Sequence, residues 1–416
     1  MREMKDSGIE WIGAIPFQWS IDKLKYHLKR NEPKNPGEQI VLSLYRELGV
    51  VPKDSRDDNY NVTSEDTSNY KYVRIGDFVI NKMKAWQGSV AVSDYEGIVS
   101  PAYFIYNFTD TVFYKKYFHY LLRSCYKDEF RRLSGGIREG QWDLPAEALN
   151  NTPVLIPTLS EQQTIACFLD RKSAECDALV ADIQSQIEAL EEYKRSVITE
   201  AVTKGLDPDV EMRDSGVQWI GDMPAHWSTM PNKYVMRKVK KICPKYNGEQ
   251  ILSLTMNGVI IRDLDAGGKM PTTFDGYQYV EPDNLLMCLF DIDVTPRCIG
   301  LIKDFGLTSP AYSQFIMSDN AFAPYYVYYY TMIDNDKTLL HLAKNLRHSL
   351  TEEQLGAISV IVPPYEEQKE IADYLDSKIA EIDSIIALKK QQIETIEEYK
   401  KSLIFEYVTG KKEVGV

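Results

Sequence analysis

Residues able to do bond chemistry are present in this 416-residue chain, but their spacing argues against catalysis. Pro363–Tyr365 reads P-P-Y, part of the motif with which amino-directed methyltransferases hold a target amine. The residue before it is Val362, where that chemistry needs Asn or Asp. The triplets Glu192–Lys194 and Glu398–Lys400 resemble a nuclease E-x-K, yet they lie in heptad-patterned sequence without an upstream acid at the right spacing. No G-x-G-x-x-G and no G-x-x-x-x-G-K-[ST] occurs, so no cradle for a nucleotide or for S-adenosylmethionine is predicted. The five histidines and six cysteines show no ligand spacing and no C-x-x-C pair, which predicts reduced cysteines and no metal.

Contact chemistry is better provided for. Lys82, Lys84, Trp86 and Gln87 follow a predicted strand beside Gly88, and Arg123, Lys127 and Arg131 are spaced i, i+4, i+8 along one predicted helix face. Such a row suits phosphate tracking. The loop G-G-I-R-E-G-Q-W, Gly135 to Trp142, offers Arg138 and Gln141, side chains able to make paired hydrogen bonds to guanine and adenine edges. The second half offers Lys344, Asn345, Arg347 and His348 in K-N-L-R-H-S, together with Arg297 between two predicted strands. A solvated surface would use the same residue types, and the recurrence of an arginine loop before each closing strand is what raises the contact reading.

The net charge of -13 is unevenly placed. Residues 1–160 balance to zero, 161–204 carry -4, 205–365 carry -5 and 366–416 carry -4. More than half of the excess therefore lies on two predicted helices, which are poor places for phosphate contact, so DNA affinity must come from local basic patches or from partner subunits. No apolar run of about 18 residues and no signal-peptide pattern occurs, and a cytoplasmic location is expected.

The elements that must position these residues are used twice. The stretch from about Glu161 to Lys204 recurs from about Glu367 to Val408 at an offset of 206, which carries Leu169 onto Leu375, Asp177 onto Asp383 and Tyr193 onto Tyr399. Each copy predicts one long helix with a narrow apolar seam. One seven-residue series runs Leu169, Cys176, Ile183, Leu190, Val197, and a second includes Val180, Ile187 and Ala201. In the other copy the series are Leu375, Ile382, Lys389, Ile396, Leu403 and Ile379, Ile386, Ile393, Tyr407, with Lys194 and Lys400 as polar seam positions. A seam this narrow cannot be buried by one helix alone, and the other copy is its natural partner. Ser160 with Gln163 predicts a capping box for the first helix, and Gly205 and Gly410 predict the two stops.

The duplication extends to D-S-G-I-E-W-I-G-A-I-P-F-Q-W, Asp6 to Trp19, and D-S-G-V-Q-W-I-G-D-M-P-A-H-W, Asp214 to Trp227, whose indoles suit packing onto an adjoining surface. Between turn and helix each copy predicts short strands, at 72–81, 88–93 and 103–106 and at 285–289, 298–302 and 313–317. A helix follows at 115–133 and 325–343, then a closing extended run at 154–157 and 360–363. These middles have diverged far more than the helices, as expected if one frame faces two ligands.

The expected fold is α+β: two β-rich α/β domains, 1–157 and 207–363, separated by a long antiparallel two-helix coiled coil from 158–206 and 364–416, the whole a tandem repeat with pseudo-twofold symmetry. In this order of parts the chain resembles the specificity subunit of type I restriction-modification enzymes. The resemblance rests on the tryptophan turns, the S-G-G-I-R-E-G loop, and the junctions V-L-I-P-T-L-S-E-Q-Q-T-I-A-C-F-L-D and I-V-P-P-Y-E-E-Q-K-E-I-A-D-Y-L-D, and it covers essentially all 416 residues. The second loop, K-N-L-R-H-S, departs by lacking the double glycine.

The resemblance implies target-recognition domains that each read half of a bipartite sequence in double-stranded DNA, helices that space them, and no catalysis by this chain. It also implies two methyltransferase subunits that carry S-adenosylmethionine, and a restriction subunit that completes a nuclease and translocase; no membrane is implied. About 40 helical residues span roughly 60 Å, at most about 18 base pairs. The alternative is a non-catalytic coiled-coil adaptor whose two domains bind protein or glycan ligands.

Overall fold

The computed structural model describes residues 2–46, 48–55, 63–64, 66–136, 142–265, 271–293, 299–343 and 348–415. Its packing separates two units, Met1–Ile183 with Gln391–Val416, and Gln184–Lys390. Each unit is a β-rich domain together with one half of each of two long helices, Leu159–Lys204 of 46 residues and Tyr365–Val408 of 44 residues.

The first unit opens with the hairpin Met4–Asp6 and Ala14–Pro16. Its D-S-G turn is held locally: the Asp6 carboxylate accepts the Gly8 N–H at 3.0 Å and the Ser7 hydroxyl accepts the Ile9 N–H at 3.0 Å. An antiparallel sheet follows in the order Leu28–Arg30, Tyr103–Phe108, Phe78–Asn81, Val90–Val92. Phe78, Ile80, Phe118, Tyr117, Leu121 and Leu122 form a common core between sheet and helix. The closing strand Pro153–Ile156 pairs with Ser20–Lys23 and delivers the chain into the first long helix.

The second unit repeats this internal plan. Its hairpin is Met212–Asp214 with Asp222–Pro224. Its sheet runs Met236–Val239, Ser313–Met317, Leu285–Met287, Ile299–Leu301, and its closing strand Ser359–Val362 pairs with Ser228–Pro231. Tyr325, Tyr326, Tyr329 and Tyr330 fill the core from the helix Ala323–Asn335.

Both units lock the start of a long helix in the same way. Trp19, 1% exposed, donates its indole N–H to Glu161 at 2.9 Å, and Trp227, also 1% exposed, donates to Glu367 at 2.8 Å. Gln162, fully buried, accepts the Tyr114 N–H and donates to the Val112 and Pro157 carbonyls. Gln368 repeats this with the Phe322 N–H and the Asn320 and Pro363 carbonyls. Each unit also holds the end of the other helix copy. The Tyr117 hydroxyl donates to the Val408 carbonyl at 2.9 Å, and the Tyr325 hydroxyl to the Val202 carbonyl at 2.8 Å. Gly410, at φ 72°, has Pro16 and Trp19 so close that a Cβ would overlap them, so a side chain there is excluded by space as well as by backbone.

Within the first unit Asp177 pairs with Lys400 at 2.6 Å and the Phe168 and Tyr407 rings pack at a 38° tilt with centroids 4.5 Å apart. Within the second, Lys194 pairs with Asp383 at 2.5 Å and Lys389 donates to Gln186. The predicted seam residues are buried or half-buried throughout, from Leu169 and Leu375 at 0% exposed to the half-buried Ile183, Leu190, Ile393 and Ile396.

Four local expectations are corrected. The strand expected over 72–81 is two, Lys71–Val73 and Phe78–Asn81, because Asp77 accepts the Arg74 N–H and turns the chain between them. The helix expected over 115–133 is two, Lys115–Cys125 and Lys127–Leu133, interrupted at the buried Tyr126 with φ -103° and ψ 0°. The helix expected over 325–343 ends at Asn335, where Lys337 turns left-handed before a short 3-10 segment at Thr338–Leu342. The first long helix begins at Leu159, with the Thr158 hydroxyl accepting the Glu161 N–H in place of the expected Ser160 cap. The hairpins Leu42–Tyr45 with Gly49–Pro52 and Leu252–Thr255 with Gly258–Ile261 were not foreseen.

Replacing Gln162 by Leu strands one buried N–H and two carbonyls, each unsatisfied group costing about 1–3 kcal/mol. The Gln162→Leu chain is expected to unfold at a clearly lower urea midpoint than the parent, followed by circular dichroism; an unchanged midpoint would contradict the lock.

Candidate nucleic-acid interface

In the first unit the sheet strand Phe78–Asn81 runs into the turn Ala85–Gln87, and Ala85, fully buried, plugs that turn into the domain. Lys82 forms an ion pair with Asp143 at 2.7 Å, and its carbonyl accepts the Leu144 N–H at 3.0 Å. Trp86 donates to the Met83 carbonyl and lies 5.6 Å from Trp142. The loop after the strand and the loop before the closing strand are thus pinned side by side, with Met83 and Lys84 exposed between them and the solvent. Arg138 and Gln141 lie outside the described residues, as do Arg297, Lys344, Asn345 and Arg347.

Gln87 is held from the other side, accepting from the Arg46 guanidinium at 2.7 Å. Arg123 donates to the Arg46 carbonyl and stands 3.2 Å from the His119 ring. The break at Tyr126 places Arg123 on one helix and Lys127 and Arg131 on the next, so the expected single cationic row is two offset segments. Arg123 and Lys127 line a cleft of about 1130 Å³ in this unit together with Arg46, Gln87, Lys115 and Lys116. The helix halves of the same unit add Lys400 and Lys401, and also Asp170, Asp177 and Glu397; Arg131 does not line the cleft. Lys115, Lys116, Arg46, Lys400 and Lys401 were missed in the sequence, although Lys115 and Lys116 stand at the start of the helix that bears Arg123.

Electrostatics inside the cleft are partly paired. Lys116 binds Asp170 at 2.8 Å, and this hydrogen bond holds its ammonium above the ordinary lysine range. Asp170 also accepts from the Tyr120 hydroxyl, whose pKa burial pushes up to about 12. Burial, reinforced by Arg123, lowers the His119 pKa to about 4, and its Nδ1 accepts the Val92 N–H at 3.3 Å, a bond open only to an unprotonated Nδ1.

The second unit pins its corresponding loops differently. His348, at φ 39°, pairs with Asp293 at 2.6 Å, and the Leu350 N–H donates to the Leu289 carbonyl at 2.8 Å. Asp291 and Asp293 were not among the predicted contact residues. Among the described residues no group of three or more His, Cys, Asp or Glu is placed to hold a metal ion, and no helix is long and apolar enough to cross a membrane.

The family described as the type I restriction modification DNA specificity domain matches residues 23–189 and 302–398, so the chain belongs to this family. A Methanocaldococcus jannaschii chain assigned as the MjaX type I restriction enzyme specificity subunit is 25% identical over 433 residues, spanning 96% of this chain and 95% of that one. The MjaVIII specificity subunit of the same organism is 25% identical over 282 residues, 63% of this chain and 62% of that one. Among solved structures, the HsdS subunit from Thermoanaerobacter tengcongensis aligns with a TM-score of 0.52 at 14% identity, over 96% of this chain and 98% of the other. A chain from a structure of type I restriction-modification complex assembly and conformational transition aligns with a TM-score of 0.64 at 12% identity, over 96% and 99%. These two likenesses establish the mixed α/β fold. The chain is a type I specificity subunit, and the adaptor alternative is not favoured.

The His119 shift has a stability consequence. Its folded pKa of about 4 lies below the usual 6.5, so between these values the unfolded chain takes up a proton that the folded chain does not. This contribution is complete above pH 6.5 and is lost as pH falls toward 4. Urea midpoints at pH 7 and pH 4.5 should therefore differ less for His119→Gln than for the parent; equal differences would contradict the assignment.

Proposed function

We propose that this specificity subunit directs methylation to an asymmetric, interrupted DNA target, each β-rich domain reading one half. Residues 1–157 and 207–363 are the two recognition domains, and 158–206 and 364–416 form an antiparallel coiled coil that sets the gap. The observation that carries the reading is the duplicated lock, Trp19 on Glu161 and Trp227 on Glu367, which attaches two diverged surfaces to one repeated frame. The antiparallel arrangement is supported by pairs in which residue numbers on one helix rise as those on the other fall, Phe168 with Tyr407 and Asp177 with Lys400, and Gln186 with Lys389 and Lys194 with Asp383. Pseudo-twofold symmetry follows, with the two domains reading opposite strands.

In the first domain Lys84, Lys127 and Arg131, together with cleft residues Arg46, Lys115, Arg123 and Lys401, supply phosphate contact. Lys82, Trp86 and Gln87 shape the reading loop, and Arg138 and Gln141 read base edges. In the second domain Arg297, Lys344, Asn345, Arg347 and His348 take the corresponding roles. The chain itself is non-catalytic: two methyltransferase subunits dock on the helical regions, carry S-adenosylmethionine and supply further phosphate contact, and a restriction subunit completes the cytoplasmic complex. The acidic helices are consistent with protein docking rather than DNA contact.

The test is methylation mapping of a plasmid pool in a host co-expressing this chain with its methyltransferase subunit, against the host lacking this chain. A new interrupted two-part motif is expected. An assembled complex with no new methylation would overturn the proposal.

A further inference from the structure

The two domains place chemically opposite loops at one and the same position of the fold. In the sheets, Ile80 pairs with Phe104 and Met287 pairs with Ser313 on equivalent strands. Two residues beyond Ile80, the Lys82 carbonyl accepts the Leu144 N–H; two beyond Met287, the Leu289 carbonyl accepts the Leu350 N–H. Three residues further, Ala85 and Ile292 are the buried plugs of their loops. This register aligns Lys84 with Asp291, Trp86 with Asp293 and Trp142 with His348. The aromatic contact that pins the loops in the first domain, Trp86 with Trp142, is replaced in the second by the Asp293–His348 pair. The exposed cation Lys84 is replaced by the half-buried carboxylate Asp291.

A lysine on a DNA-facing loop is attracted by every phosphate and can also donate to the guanine O6 and N7. A carboxylate at the same place is repelled by the phosphates. The DNA groups that offset this repulsion are the exocyclic amines exposed in the major groove, cytosine N4 and adenine N6, and an acid–cytosine N4 bond is a recognised pairing. Asp291 also holds φ 50°, which puts its short side chain on a left-handed turn rather than along a strand. We infer that Asp291 is a specificity-determining residue that accepts a hydrogen bond from an amino-bearing base, cytosine before adenine, in the half-site of the second domain. Lys84, at the same place in the first domain, faces phosphate in the other half-site. This inference rests on the reading of the chain as a two-domain DNA reader.

The test is motif mapping of the co-expressed complex with the parent chain, Asp291→Asn, Asp291→Ala and Lys84→Gln. Asparagine tolerates the left-handed turn and keeps one acceptor while adding a donor, so it separates loss of charge from loss of the loop. With the parent, one position of the second half-site is occupied by cytosine or adenine. Asp291→Ala lowers discrimination at that position about 5- to 150-fold and leaves the first half-site unchanged, and Asp291→Asn moves the preference at that position toward adenine. Lys84→Gln, which removes a phosphate contact, weakens methylation without changing the sequence of either half-site. Unchanged second half-sites in both Asp291 variants, or an equal weakening of every position in both halves, overturns the inference while leaving the two-domain reading intact. A parent complex without any motif overturns that reading first.

Discussion

A narrow apolar seam on a helix of more than forty residues is the constraint on which this structure depends. One helix in water cannot bury it, and the burial available from a single β-rich domain reaches only the helix ends. Leu169, Leu375, Ile382 and Leu403 are nevertheless all 5% exposed or less. The seam is closed because each unit contains halves of both helices, with Asp177–Lys400 in one and Lys194–Asp383 in the other. These ion pairs are half-exposed and weak as sources of stability. Their value is in register: they repeat at the duplicated positions and match a lysine on each seam to an acid on its neighbour.

The domains depend on the same helices in turn. A buried tryptophan and a buried glutamine fix each helix start, and a tyrosine hydroxyl fixes the end of the other helix, so the first unit joins two separate segments and the second takes in the end of one helix and the start of the other. This explains what was duplicated faithfully and what was not. Residues that bridge domain to helix recur with their partners, Trp19 and Glu161 as Trp227 and Glu367, Tyr120 and Asp170 as Tyr328 and Asp376. Residues on the outward helix face do not: Lys115, Lys116, Arg123 and Lys127 stand where the second copy has Ala323, Pro324, Thr331 and Asn335. The frame is held by burial and by its paired hydrogen bonds, and these positions are not part of it.

Much of the frame could be read in the sequence because burial imposes periods. The heptad seams, both long helices, the glycine stops and three of the four strands in each sheet follow from spacing alone, whereas Leu28–Arg30, Met236–Val239 and the pairing order do not. What escaped depends on single side chains competing for backbone groups. Asp77 breaks an apparently continuous strand by capping a turn, Thr158 supplants Ser160 as the helix cap, and Tyr126 interrupts a helix by turning into the core. The candidate site was less legible. Lys82, Lys84, Trp86 and Gln87 were found as a cluster, but Arg46, Lys115 and Lys400 come to the cleft from distant segments, which no local pattern reveals. The equivalence of Asp291 with Lys84 is written only in the strand register and the loop hydrogen bonds, not in any local sequence pattern.

Helices that act as a ruler between two independent readers are tested by the gap of the methylated motif after both are shortened. Deleting one heptad from each helix, Ile183–Ala189 and Ala387–Ile393, preserves the seam and removes about 10 Å, or about three base pairs. A motif with both half-sites unchanged and a gap shorter by about that number is expected. An unchanged gap, with the shortened chain still directing methylation, would contradict it.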